Sequence, residues 1–140
     1  MIFKIIRNLC LPFICIFALL MIFLNAPTEC YGFEIDIDVA PNVLNILSQG
    51  EVVTVHTNIG YSLVDVESVY LNDVPIDHSK VDNRGYFVAK FLMDAIKNLD
   101  GLIIGDYNTL KLVGATTEGE AFLGQQEIMV IENIPAGGAQ

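Results

Sequence analysis

Asp73, Asp77, Asp82 and Asn83 sit in neighbouring polar segments and are the residues best spaced for chemistry in this chain. Loop carboxylates and amides can gather around a hard cation, and Ca²⁺ takes about 6–8 such oxygen ligands. The same residue types are ordinary occupants of turns, so a cation site and plain turns both fit. Glu34, Asp36 and Asp38 form a second acidic set. Spaced by two on an extended segment, their carboxylates leave one face, a ladder too sparse for a cation and suited to a solvated strand surface.

His56 and His78 are the only histidines, without a His-x-x-x-His spacing for zinc and without a Ser or Cys nucleophile motif beside them. There is no Trp, and Tyr61, Tyr70, Tyr86 and Tyr107 fall at strand starts or turns rather than as platforms for a sugar. Gly114, Gly119 and Gly124 are spaced like a hairpin with a bulge and have no helix after them, unlike a phosphate loop. These residues point to a non-enzymatic protein without a cofactor. The alternative is an extracellular module that binds a cation such as Ca²⁺, or a glycan, through the Asp73–Asn83 loops.

The N-terminal segment decides which residues take part in the fold. Lys4 and Arg7 precede the apolar run Leu9–Leu24, and small residues follow near Cys30-Tyr31-Gly32. This is the layout of a secretory signal covering residues 1–32, cut after Gly32. A cut after Ala26 competes, as does retention of the segment as a membrane anchor, since Leu9–Ala26 approaches the length of a span. Cleavage after Gly32 removes Cys10, Cys15 and Cys30, the only cysteines, and leaves a domain held by an ordinary core without disulfides. The expected location is periplasmic, cell-surface or secreted, with membrane contact only if the segment stays uncleaved.

The whole chain has 140 residues and a formal charge of −10. Removing residues 1–32 takes away Lys4, Arg7 and Glu29, which leaves 16 acids, 5 bases and a charge of −11. Such a charge disfavours nucleic acid, which needs clustered Lys and Arg, and permits a cation or a protein partner at the cell surface or in the periplasm.

Period-two alternation predicts the elements. Phe33–Val39 (FEIDIDV) reads as one strand, followed by Val43–Leu47, Glu51–Thr57, Val66–Leu71, a return leg at Val74–Ile76, Tyr86–Phe91 and Tyr107–Val113. The last strand is Ala121–Ile131, with a bulge at Gly124. Asn58–Ser62 and Asp77–Asn83 read as loops, and Met93–Leu99 as one or two helical turns. Seven to eight short strands with turns between them make an all-β sandwich over residues 33–134, ahead of a flexible tail at 135–140. Tyr107, preceded by Leu102–Asp106, is placed like the tyrosine corner of immunoglobulin-like sandwiches, and equally like any strand residue. The candidate edges are Phe33–Val39 and Val74–Ile76.

Pro41-Asn42-Val43-Leu44-Asn45-Ile46-Leu47-Ser48-Gln49-Gly50, before Val52, Val53 and Val55, resembles the opening of immunoglobulin-like β-sandwich domains in bacterial and archaeal exported proteins. That opening reads P-N-x-(I/L)-N-(L/I)-x-S-x-G. The stretch from Leu110 through Gly114, Gly119, Phe122 and Gly124 to Ile131 is similar to their closing hairpin. The resemblance implies an immunoglobulin-like antiparallel sandwich within surface proteins, and no catalytic activity. The chain departs from it where relatives carry I-D-I-K-P-G, since Val39-Ala40 follows Ile35–Asp38 here. It also departs where relatives carry a D-x-D-x-D-G stretch suited to Ca²⁺, since Tyr86–Asp100 holds only Asp94 and Asp100.

Overall fold

Ten strands and one short helix make up residues 32–134, the part of the chain that the computed structural model describes. The segment expected to be a signal, apart from Gly32, and the tail expected at 135–140 lie outside the described residues. The strands form two sheets, and antiparallel pairing dominates both. The protein is an all-β sandwich. It has more strands than the seven to eight expected, because one predicted strand is split and one predicted loop is a strand.

The split strand is the first. β1 (Phe33–Glu34) and β2 (Ile37–Ala40) come from a single alternating run but belong to different sheets. The chain crosses between sheets at Ile35-Asp36. Ile35 N–H donates to the Leu123 carbonyl (2.9 Å) on one side. On the other, Asp36 and Asn58 bond reciprocally: Asp36 N–H donates to Asn58 Oδ1, and Asn58 Nδ2 donates to the Asp36 carboxylate, each at 3.0 Å. The in–out pattern survives the crossing, with Ile35 and Val39 buried and Glu34, Asp36 and Asp38 exposed. The peptide bond Ala40–Pro41 is cis, and β3 (Val43–Asn45) then returns to the first sheet.

β4 spans Val52–Gly60 and corrects the loop expected at Asn58–Ser62. Ile59 is buried, the Thr57 hydroxyl donates to the Phe87 carbonyl (2.6 Å), and Tyr61 N–H donates to the Gly85 carbonyl (2.9 Å). These ties carry the strand on to a 3-10 turn, Tyr61–Leu63. β5 (Val64–Leu71) and β6 (Val74–Pro75) are joined by Asn72 and Asp73 at φ 45° and 68°. A two-residue hairpin turn of this kind requires left-handed residues, which Asn and Asp tolerate best after Gly.

β7 (His78–Val81) is the second correction, a strand where a polar loop was expected. It pairs antiparallel with β8 (Tyr86–Leu92). Its composition carries little strand signal; the ladder of β8 creates it. α1 (Met93–Lys97) connects the sheets, followed by a loop to β9 (Tyr107–Thr116) and the return strand β10 (Ala121–Ile131).

One sheet runs β1-β10-β9-β5-β6, with β3 also on β10, and the other runs β2-β4-β8-β7. β1 and β3 both pair parallel with β10, at its opposite ends. Phe87, Phe91, Phe122, Leu44, Leu71, Ile96, Leu110, Leu112 and Ile128 fill the space between the sheets. Each such side chain stabilises the fold by about 1.5–3 kcal/mol relative to exposure.

The expected bulge at Gly124 is absent, and β10 pairs with β9 in unbroken register from Ala121 to Met129. Gly124 instead lets the two sheets meet. A Cβ there would collide with the Ile37 side chain and lie 3.2 Å from Ile35 Cγ1. Gly114, opposite Phe122, makes room in the same way for the Phe122 ring.

Candidate functional site

Asp82 opens the β7–β8 turn. Its Oδ1 accepts from Arg84 N–H (2.8 Å) and Tyr86 N–H (2.9 Å), while Gly85 at φ 87° lets the chain reverse. The Tyr86 N–H, helped by the Arg84 N–H and the nearby Arg84 charge, holds the Asp82 carboxyl below its ordinary value against a smaller opposing desolvation. Asn83 is exposed at the tip of the turn.

Asp77 lies at the other end of β7, with its carboxylate 2.7 Å from His78 Nδ1. Asp73 belongs to the β5–β6 turn in the other sheet. Thus Asp73, Asp77, Asp82 and Asn83 are spread over two sheets and both ends of β7. Among the described residues no three His, Cys, Asp or Glu side chains converge as a metal site would require.

Two shallow grooves touch these residues. One, about 460 Å³, is lined by Asn72, Asp73, Asp100 and Lys111 among others. The second, about 680 Å³, lies between α1 and the start of β7 and includes Glu51, Asp77, His78 and Asp94. The second also includes Ser48, whose hydroxyl reaches Met93 Sδ, while the His78 ring is paired with Asp77. His56 stands exposed on the outer face of β4, across from Asp38 on β2 and Val88 on β8.

The residues of the opening and closing motifs have structural duties. The Asn42 carbonyl accepts from Met129 N–H (3.1 Å). Asn45 clamps the end of β3 to the chain beyond β10: its Nδ2 donates to the Asn133 carbonyl (2.6 Å), and its Oδ1 accepts from Asn133 N–H and Leu47 N–H, both 3.1 Å. The Ser48 carbonyl accepts from Lys97 Nζ, and its hydroxyl reaches Met93 Sδ (3.5 Å). Gly50 leaves room for Met93, whose Sδ and Cε would lie 2.8 Å from a Cβ there. Pro41 follows the cis bond between β2 and β3. Gly119, at φ 85°, closes the β9–β10 hairpin, where Thr116 N–H donates to the Glu120 carbonyl (2.8 Å).

Tyr107 does not form a tyrosine corner. Its side chain is 59% exposed, and among the described residues its hydroxyl has no hydrogen-bond partner. Its neighbour Asn108 ties that corner instead. Asn108 Oδ1 accepts from Ile103 N–H and its Nδ2 donates to the Ile103 carbonyl, each at 2.8 Å.

The two sheets also present open strand edges. β6 has two residues, one of them Pro75, which has no N–H to offer. On β2, Val39 N–H is taken by Gln126 Oε1 (2.8 Å). The far edge of the first sheet is divided between short β1 and β3. β7 has four residues, no proline, and no side-chain cap among the described residues. The D-N-R-G turn ahead of the clear strand Tyr86–Phe91 was the available sign of β7, because a tight turn before one strand implies another strand before it.

No protein-family model matches the sequence, and a search of curated proteins returns no match. Among the described residues no helix is long and apolar enough to cross a membrane.

Proposed function

We propose that this chain is an exported, non-enzymatic β-sandwich module of immunoglobulin-like type, which works in adhesion, scaffolding or assembly through protein–protein contacts along its open strand edges. The observation that carries this reading is the uncapped edge at β7, beside three edges that are short, proline-bearing or capped. An unpaired edge is a template for another chain. In the same reading residues 1–32 direct export and are cut after Gly32, and the domain acts in the periplasm, at the cell surface or outside the cell.

The test has two parts. N-terminal sequencing of protein recovered from the host envelope or medium should begin at Phe33. The same protein, immobilised, should retain a defined partner from envelope extract or self-associate in sedimentation. Protein that stays in the cytoplasm, or that remains monomeric and retains nothing, refutes the proposal.

A further inference from the structure

Sheet edges differ in how they are closed, and β7 also differs in charge. Asp82 N–H donates to the Tyr86 carbonyl (3.0 Å). With the register Lys80↔Val88 and Val81↔Phe87, antiparallel alternation turns Lys80 N–H toward β8 and the N–H groups of Ser79 and Val81 outward. These two donors face solvent along an uncovered edge.

The two faces of that edge have opposite character. His78 and Lys80 project from the outer face, next to Lys90 and Val88. Lys80 and Lys90 are two of only five basic side chains downstream of residue 32, where 16 are acidic. Among the described residues neither lies within ion-pair distance of a carboxylate; the one such contact is His78–Asp77. Asp82, at the far end of β7, is occupied by backbone N–H groups. On the inner face Val81 is 54% exposed, at the open margin of the core beside Phe87.

We propose that β7 is the acceptor edge for an extended partner segment that alternates apolar and acidic residues. Paired to β7, the segment takes its register from the outward N–H groups of Ser79 and Val81. Its apolar side chains cover Val81 and extend the core. Its carboxylates fall on the outer face against Lys80 and Lys90, where cross-strand charge pairs favour binding. This inference rests on the assembly reading above and names the edge and the chemistry of its partner.

The test uses the full chain as purified and a fluorescein-labelled heptapeptide, FEIDIDV, which has the required alternation. Anisotropy should show saturable binding, and hydrogen exchange should show new protection at Ser79 and Val81. A peptide with lysine at the three acidic positions should bind less tightly. Ser79→Pro removes an outward N–H without breaking the bond to β8 and should weaken binding roughly tenfold. Lys80→Glu keeps the backbone intact and should weaken the acidic peptide roughly two- to fivefold while improving the lysine peptide.

Absence of binding, equal binding of both peptides, protection elsewhere than β7, or binding unchanged in Ser79→Pro and Lys80→Glu each overturns the proposal. If the peptide fails while the protein still self-associates or retains its envelope partner, only the β7 edge is refuted. If both fail, the assembly reading falls with it.

Discussion

The two hairpins β9–β10 and β7–β8 are built from the same kind of pairing and end in tight turns, yet they differ in what covers them. In the first, β9 lies between β10 and β5, so its backbone groups are taken on both sides. Its inward residues Leu110 and Leu112 are fully buried. In the second, β7 has a neighbour on one side only and buries none of its residues fully. What lies alongside decides whether a strand is covered on both sides or left open on one, even where the local geometry is alike.

The sharpest way to break this comparison is proline. Leu112→Pro in β9 should unfold the domain, because it removes a ladder bond in a central strand and clashes within it. Ser79→Pro in β7 should leave the melting temperature close to that of the parent. Circular dichroism melts of both decide the matter; comparable losses would mean that β7 is covered in solution.

Phe122→Ala should come next. It empties the space that Gly114 and the sheet contact leave for the ring, at a cost of about 3–5 kcal/mol, read from urea midpoints. Asn45→Ala should cost about 1 kcal/mol through loss of the clamp to Asn133. Hydrogen exchange should then show the end of β10 loosened, with β7 unchanged.

The smallest effect belongs to the β7–β8 turn. The folded-state pKa of Asp82 lies below its ordinary 3.8, so its contribution is present above that value and fades as pH falls through the lowered folded-state value. Asp82→Asn should lower neutral stability slightly, leave low-pH stability nearly unchanged and so flatten the acid limb of stability against pH. An acid limb identical to the parent's would show that the turn does not hold the carboxylate.

Much of the architecture was legible beforehand. Alternation in Glu51–Thr57, Tyr86–Phe91 and Tyr107–Val113 located β4, β8 and β9, and Asn72-Asp73 and Gly119 located turns. β7 escaped because His78-Ser79-Lys80-Val81 buries too little to alternate strongly, and pairing with β8 supplies its stability. Gly124 was misjudged because a glycine inside a strand pattern signals either a bulge or a close approach, and only the position of Ile35 and Ile37 distinguishes them. The four candidate ligands were close in sequence, but hairpin turns carried them apart.

Local order along the chain determined the all-β character, the buried and exposed faces and most turns, because a side chain's direction on a strand depends on the two-residue repeat. The tertiary structure decided that Phe33–Val39 crosses from one sheet to the other, that Asn108 rather than Tyr107 ties its corner, and that β7 is the open edge. Edge status depends on which strand is missing alongside, and that is set by contacts between residues far apart in the chain.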